Sequence, residues 1–206
     1  MNAMPRLVLG SHNKKKLKEL VELLRDLSLE VTDLTPYPNA PDVDETGTTF
    51  EENARLKATQ VAVAVGEWVV GEDSGLVVPA LGGQPGVYSA RWGGQHGDDA
   101  ANNAKLLREL AGKTGDSRAA YYVSTCALSD PTGQVVAVVE GRCWGVIATQ
   151  ARGDGGFCYD PLFVIPEYHA SFGELSSTVK QALSHRGRSV TKLRPIVRKF
   201  VLREQA

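Results

Sequence analysis

Residues 119–147, AAYYVSTCALSDPTGQVVAVVEGRCWGVI, constrain this chain more than any other stretch. Two long runs rich in Tyr, Val, Cys and Ile flank Asp130-Pro131-Thr132-Gly133, residue types that favour a turn. Aromatic and β-branched side chains suit an extended backbone, so the stretch reads as a hairpin of two long strands. Any fold for this chain has to supply a sheet that accepts both.

The rest of the chain alternates strand and helix signals. Arg6–Gly10 is a short apolar run bounded by Ser-His-Asn, the pattern of a buried strand. From Asn13 the spacing turns helical, with Leu17, Leu20, Val21 and Leu24 on one face. Residues 29–34 alternate as a second strand, and a Pro-rich, acidic loop follows to Gly47. Thr49 with Glu52 three residues later is a capping box, which predicts a helix from Phe50 to about Val65. EWVVGEDSGLVVPAL reads as strand, turn, strand, with Glu72 and Asp73 at a strand's end. A helix is predicted over Asp98–Leu110, and ARGDGGFCYDPLF is a Gly-rich loop entering a strand. The tail from Ser176 reads as helical, broken near SHRG, with Pro195 a second candidate break. Helices alternating with strands, plus the hairpin, predict an α/β fold with a mixed central sheet in one 206-residue domain, without a separable linker.

Bulk properties narrow the function. The formal net charge is −1, so no global positive field recruits nucleic acid or an anionic membrane surface, and neither is expected as a partner. Cys126, Cys143 and Cys158 are an odd number without metal-ligand spacing, which fits reduced thiols in a cytoplasm. The first residues lack a secretory signal pattern, and no run approaches the ~20 apolar residues of a membrane span. The chain is therefore expected to be cytoplasmic.

Two kinds of charge stand out. Ser11, His12, Asn13, Lys14, Lys15 and Lys16 join a strand to a helix, where free backbone N–H groups can hold phosphate oxygens. Lysines at a helix start run against the helix dipole, so an anion there would repay them. No Walker P-loop pattern is present. Opposite in sign are Asp42, Asp44 and Glu45 in the loop, and Glu72 with Asp73. Carboxylates at the C-terminal end of a strand face the ligand crevice of open α/β sheets, and Mg2+ favours one or two carboxylates plus phosphate oxygens. Asn53 and Lys57 share a helix face at i and i+4. Lysines and acids together are what phosphoryl chemistry requires.

SHNKKKLKEL, ETGTTFEENARLKA, GEDSGLVVPALGGQPGVYSARW, GGFCYDPLF and KQALSHRG occur in this order from about Leu7 to Val201. Together they resemble the inosine/xanthosine triphosphate pyrophosphatases, enzymes that clear noncanonical purine nucleotides. The resemblance implies an ITPase-like α/β fold of two lobes around a cleft, usually as a homodimer. It implies Mg2+-dependent hydrolysis of ITP, dITP or XTP to a monophosphate and pyrophosphate. On that resemblance Asp73 is the proton acceptor and a metal ligand, Ser74 touches substrate, and Ser11–Lys16 form the phosphate loop. Lys57 is the second phosphate-facing lysine, with Asn53 on the same face. Asp44 or Glu45 supplies a further metal ligand, a choice the motif leaves open. Phe157, Cys158, Tyr159, Asp160, Lys180, His185 and Arg186 match the base pocket, with Phe157 or Tyr159 available to stack on the purine.

The chain departs from the pattern in three places. Ser11-His12 replaces Thr-Gly, Cys158 replaces a glycine between the pocket aromatics, and Val179 replaces a glutamate before the pocket lysine. Two other functions compete: a related pyrophosphatase preferring modified pyrimidine or standard nucleotides, and a nucleotide sensor without turnover. A substrate panel separates the first, and Mg2+-dependent turnover the second.

Overall fold

The computed structural model describes residues 4–203. It contains strands β1 (Arg6–Leu9), β2 (Glu30–Thr32), β3 (Trp68–Val77), β4 (Ala119–Ser129), β5 (Val135–Ile147), β6 (Phe163–Ile165) and β7 (Ala170–Ser171). The helices are α1 (Lys14–Leu24), α2 (Phe50–Val65), α3 (Asp99–Glu109), α4 (Ser177–Leu183) and α5 (His185–Phe200). The strands form one sheet in the order β2-β1-β3-β4-β5-β6-β7. β1 runs parallel to both β2 and β3, whereas β6 is antiparallel to β5 and β7, so the sheet is mixed as the sequence predicts. Among the described residues no helix is long and apolar enough to cross a membrane.

The chain divides into two compact units. One comprises residues up to Asp73, Ser124–Gly141 and from Arg186 onward; the other comprises Ser74–Val123 and Arg142–His185. β3, β4 and β5 contribute residues to both.

In the first unit the side chains of successive strand residues point to opposite faces of the sheet. Leu7, Leu9, Val70, Cys126 and Leu128 pack with Leu20 and Leu24 of α1 and Val190, Leu193 and Val197 of α5. Val8 and Val69, on the opposite face, pack with Val61 and Ala62 of α2. Burying each such side chain stabilises the fold by roughly 1.5–3 kcal/mol, which is why the faces alternate so strictly. In the second unit Leu76, Tyr122, Ile147, Tyr159, Phe163 and Phe172 form a separate core with Leu106 and Leu110.

Two predicted breaks are absent. β3 is uninterrupted from Trp68 to Val77, so Glu72 and Asp73 lie inside a ten-residue strand rather than at its end. Gly71 serves packing instead of a turn: a Cβ on it would meet Ala54 O of α2 at 2.1 Å. α5 likewise continues through Pro195. Burial of Leu193 and Val197 on either side outweighs the single backbone bond that proline removes.

Candidate active site

The first unit gathers the charged residues. Asn13 is the N-cap of α1, and its Oδ1 accepts from Lys15 N at 3.0 Å and Lys16 N at 3.2 Å. Two backbone donors at this helix start therefore already have a partner. Asn13 N in turn donates to Ser11 Oγ. The lysines diverge: Lys14 pairs with Asp33 and Thr35, and Lys15 is exposed, as is His12. Lys16 turns inward, its Nζ lying 2.7 Å from Glu72 Oε2.

Asp73 projects from β3 toward α2. Its Oδ2 accepts from Asn53 Nδ2 at 3.1 Å, and its Oδ1 lies 3.2 Å from Lys57 Nζ. Asn53 and Lys57 stand one turn apart on α2, and both are buried. The Thr49–Glu52 capping box forms as the sequence predicts and fixes the start of that helix. Lys57 Nζ also donates to Glu45 Oε1 at 2.8 Å, whereas Asp44 is exposed. Asn53 links the loop to the strand: its Oδ1 accepts from Gly47 N at 2.8 Å while its Nδ2 holds Asp73. Gly47 has no room for a side chain, since a Cβ would meet Asn53 Oδ1 at 2.6 Å.

Burial governs the electrostatics. It pushes the Asp73 carboxyl above its ordinary range, and nearby Lys57 and Lys16 only partly oppose the shift. Burial alone would lower the Lys57 ammonium, but Asp73 and Glu45 outweigh it and hold Lys57 charged. Burial would also raise Glu72; Arg186 and Lys16 override it and keep that carboxylate well below its usual range. Glu72 Oε1 accepts from Ser124 Oγ at 2.9 Å and from Arg186, whose Nη2 lies 3.1 Å away. Arg186 also pairs with Glu19 of α1.

Among the described residues no three His, Cys, Asp or Glu side chains sit close enough together to hold a metal by themselves. The donors that do converge are Asp73 Oδ1 and Glu45 Oε1, both on the Lys57 ammonium. Two carboxylates meeting at one cationic position suit a Mg2+ ion that takes its remaining ligands from phosphate oxygens and water.

The second unit holds the remaining candidates. Phe157 to Asp160 form a tight turn in which Asp160 Oδ2 accepts from Phe157 N at 2.6 Å. The same oxygen takes Lys180 Nζ of α4 at 2.7 Å, and that ammonium lies 4.6 Å from the centre of the half-buried Phe157 ring. Tyr159 is fully buried in the core, its hydroxyl donating to Ser89 O at 2.9 Å. Its ring is therefore core packing, whereas Phe157, the other aromatic expected to stack, keeps part of its surface exposed. His185 is buried against Tyr122, the rings stacked at 4.7 Å. Ser74, beside Asp73, is half-buried.

Of the residues singled out from sequence, Lys16, Glu45, Asn53, Lys57, Asp73 and Arg186 thus fall in the first unit, bound to one another or to Glu72. Phe157, Asp160 and Lys180 form the second group. Sequence reasoning did not single out Glu19, Ser124, Asp99 or Asn103. All four are brought in by tertiary structure and had no local signal; Glu19, for one, pairs with Arg186, 167 positions along the chain.

A family model for the Ham1 family matches residues 7–196. A Rhodopirellula baltica protein named dITP/XTP pyrophosphatase is 53% identical over 98% of this chain and 97% of its own length. One of the same name from Bacillus cereus is 43% identical over 99% and 100%. Among solved structures, a HAM1 protein from Coxiella burnetii superposes with a TM-score of 0.86 at 37% identity, covering 94% of this chain and 98% of that one. A Mycobacterium abscessus nucleoside-triphosphatase, dITP/XTP pyrophosphatase, gives 0.75 at 45% identity, covering 93% and 99%. With the family model spanning nearly the whole chain and relatives above 40% identity along its length, this protein belongs to the Ham1 family.

Proposed function

We propose that this protein is a hydrolase that converts noncanonical purine nucleoside triphosphates, ITP, dITP and XTP, to the monophosphate and pyrophosphate. The names of its relatives support the substrate class. The observation that carries the chemistry is Asp73, a buried carboxylate held by Asn53 Nδ2 and Lys57 Nζ.

An ionised carboxylate kept short of water is a stronger base than an exposed one, so Asp73 is suited to accept the proton of an attacking water at the α-phosphate. Asn53 fixes the rotation of the carboxylate, and the Lys57 ammonium favours its ionised form. Lys57 and Lys16 supply positive charge for the triphosphate, as phosphoryl transfer rests chiefly on positioning and charge. Glu45 and Asp73 would hold Mg2+, which when bound supplies Lewis-acid polarisation of the phosphate oxygens.

Base recognition falls to Phe157 and Lys180. The half-buried ring offers a stacking face, and the ammonium beside it donates hydrogen bonds, its own position set by Asp160. The ammonium donates to the 6-oxo group of hypoxanthine or xanthine and meets no acceptor on the 6-amino group of adenine. Such a mismatch costs about 1–3 kcal/mol, roughly tenfold to a hundredfold. Arg186, a donor also expected in the pocket, is engaged by Glu72 and Glu19.

The deciding experiment is a panel of ITP, dITP, XTP and the standard nucleotides, with products identified and a chelator arm. Pyrophosphate and monophosphate in equal amounts from ITP and XTP, lost on chelation, are expected. Release of orthophosphate, or no turnover, would overturn the proposal. We extend it to a cytoplasmic homodimer, for which light scattering of the purified protein gives the oligomeric state.

A further inference from the structure

Asp99 and Asn103 lie one turn apart on α3 and so share a face. Asp99 Oδ2 accepts from Cys158 N at 2.9 Å, and Asn103 Nδ2 donates to Cys158 O at 3.0 Å. One helix thus grips both backbone polar groups of a single residue. That residue has φ 56, the left-handed region that glycine enters freely and a side chain enters against steric resistance.

The turn around Cys158 is closed on its other side as well. Asp160 Oδ2 takes Phe157 N, and Asp160 N donates to Phe157 O at 3.2 Å. Gly156, at φ 78, has no space for a Cβ, which would meet Asp160 Oδ2 at 2.2 Å. The direction in which the Phe157 ring leaves the backbone therefore depends on Cys158 keeping its left-handed conformation. Released from α3, a cysteine would relax toward negative φ and swing the Phe157–Cys158 peptide with it.

We infer that Asp99 and Asn103 are positioning residues for nucleotide binding: they clamp Cys158 in the left-handed backbone that holds the Phe157 ring beside Lys180. Neither needs to touch the nucleotide. The inference rests on Phe157 and Lys180 being the base-recognition pair.

The test uses the full chain, with KM and kcat for ITP measured by pyrophosphate release and the unfolding midpoint recorded for each variant. Asp99→Ala and Asn103→Ala should each raise KM about three- to tenfold, the effect of one lost hydrogen bond, with kcat nearly unchanged. The decisive arm is Cys158→Gly. Glycine holds the left-handed backbone unaided, so Asn103→Ala in that background should alter KM less than about twofold relative to the Cys158→Gly single variant. A merely structural role for α3 would lower the midpoint alike in both backgrounds and leave no such rescue. Unchanged KM in both alanine variants, or an equal KM defect in the Cys158→Gly background, would overturn the inference while the functional reading stands. A parent protein that releases no pyrophosphate from ITP would overturn that reading and this inference together.

Discussion

Glu72 and Asp73 are neighbours in β3 yet face opposite sides of the sheet. Glu72 meets Lys16 of α1 and Arg186 of α5, and Asp73 meets Asn53 and Lys57 of α2. The two-residue period of the strand separates them, and the separation gives them different chemistry. Glu72 is paired by two cations and held firmly ionised; Asp73 is raised by burial and remains available to take a proton. Two adjacent acids thus divide into a structural anchor and a candidate base.

The first prediction concerns that base. Asp73→Asn keeps the shape of the side chain and removes its ability to accept a proton. Pyrophosphate release from ITP should fall by roughly 10²–10⁴-fold, the usual contribution of a general base. Circular dichroism should show a folded protein, because Glu45 still pairs with the buried Lys57 ammonium once the charge on Asp73 is gone. Turnover near that of the parent would remove Asp73 from the reaction.

A second prediction follows from the direction of the Asp73 shift. The base must be ionised, so kcat/KM should rise with pH through a pKa above the ordinary aspartate value of 3.8. Asn53 Nδ2 donates to the charged form and lowers that pKa, so Asn53→Ala should move the acid limb to higher pH. A pH–rate profile of the two proteins checks the sign. An acid limb that stays in place, or moves down, would mean another group is being titrated.

Where the sequence was informative, the determinants were local. The Thr49–Glu52 capping box, the Asn13 start of α1 and the turn at Asp130 each depend on residues within four positions, and all form. The continuity of β3 was not legible, because Gly71 next to two acids looks like a turn until the backbone of α2 is seen against it. Glu45 and Asp44 were likewise indistinguishable, and only tertiary structure shows that Glu45 accepts from Lys57 while Asp44 is exposed. Tyr159 and Phe157 flank the same cysteine, yet one is core and the other half-buried. Tertiary contacts separate their roles: Tyr159 packs in the core of the second unit and its hydroxyl reaches Ser89 O, seventy positions away.

Acid sensitivity should trace to Glu72. Its folded pKa lies below the ordinary glutamate value of 4.5, so its contribution to stability is complete above that value and is lost as pH falls below it. Glu72→Gln removes this dependence and leaves the buried Arg186 short of one counter-charge. The variant should lose about 3–5 kcal/mol at neutral pH, the usual cost of breaking a buried pair, with a shallower decline on acidification. Urea unfolding at pH 7 and at pH 4 measures both. Equal stability of the two proteins at pH 7 would show that Glu19 alone satisfies Arg186.

The tightest steric condition on the site is at Gly71. A methyl group there would meet Ala54 O at 2.1 Å and Ala58 N at 2.5 Å, both backbone atoms of α2 that no side-chain rotation can move aside. Gly71→Ala therefore requires β3 and α2 to separate, and overpacking of this kind costs roughly 1–3 kcal/mol or more. Asp73 points the same way from β3 two residues on, so the separation also lengthens its contacts with Asn53 and Lys57. Stability and turnover should fall together in this variant. Alanine at Gly66 is the control: that glycine ends α2 at φ 68, and an added Cβ has nothing within 4 Å. Gly66→Ala should lower the unfolding midpoint through backbone strain yet leave kcat close to the parent value. Matching losses of kcat in the two variants would show that general destabilisation, not the spacing between β3 and α2, sets the activity.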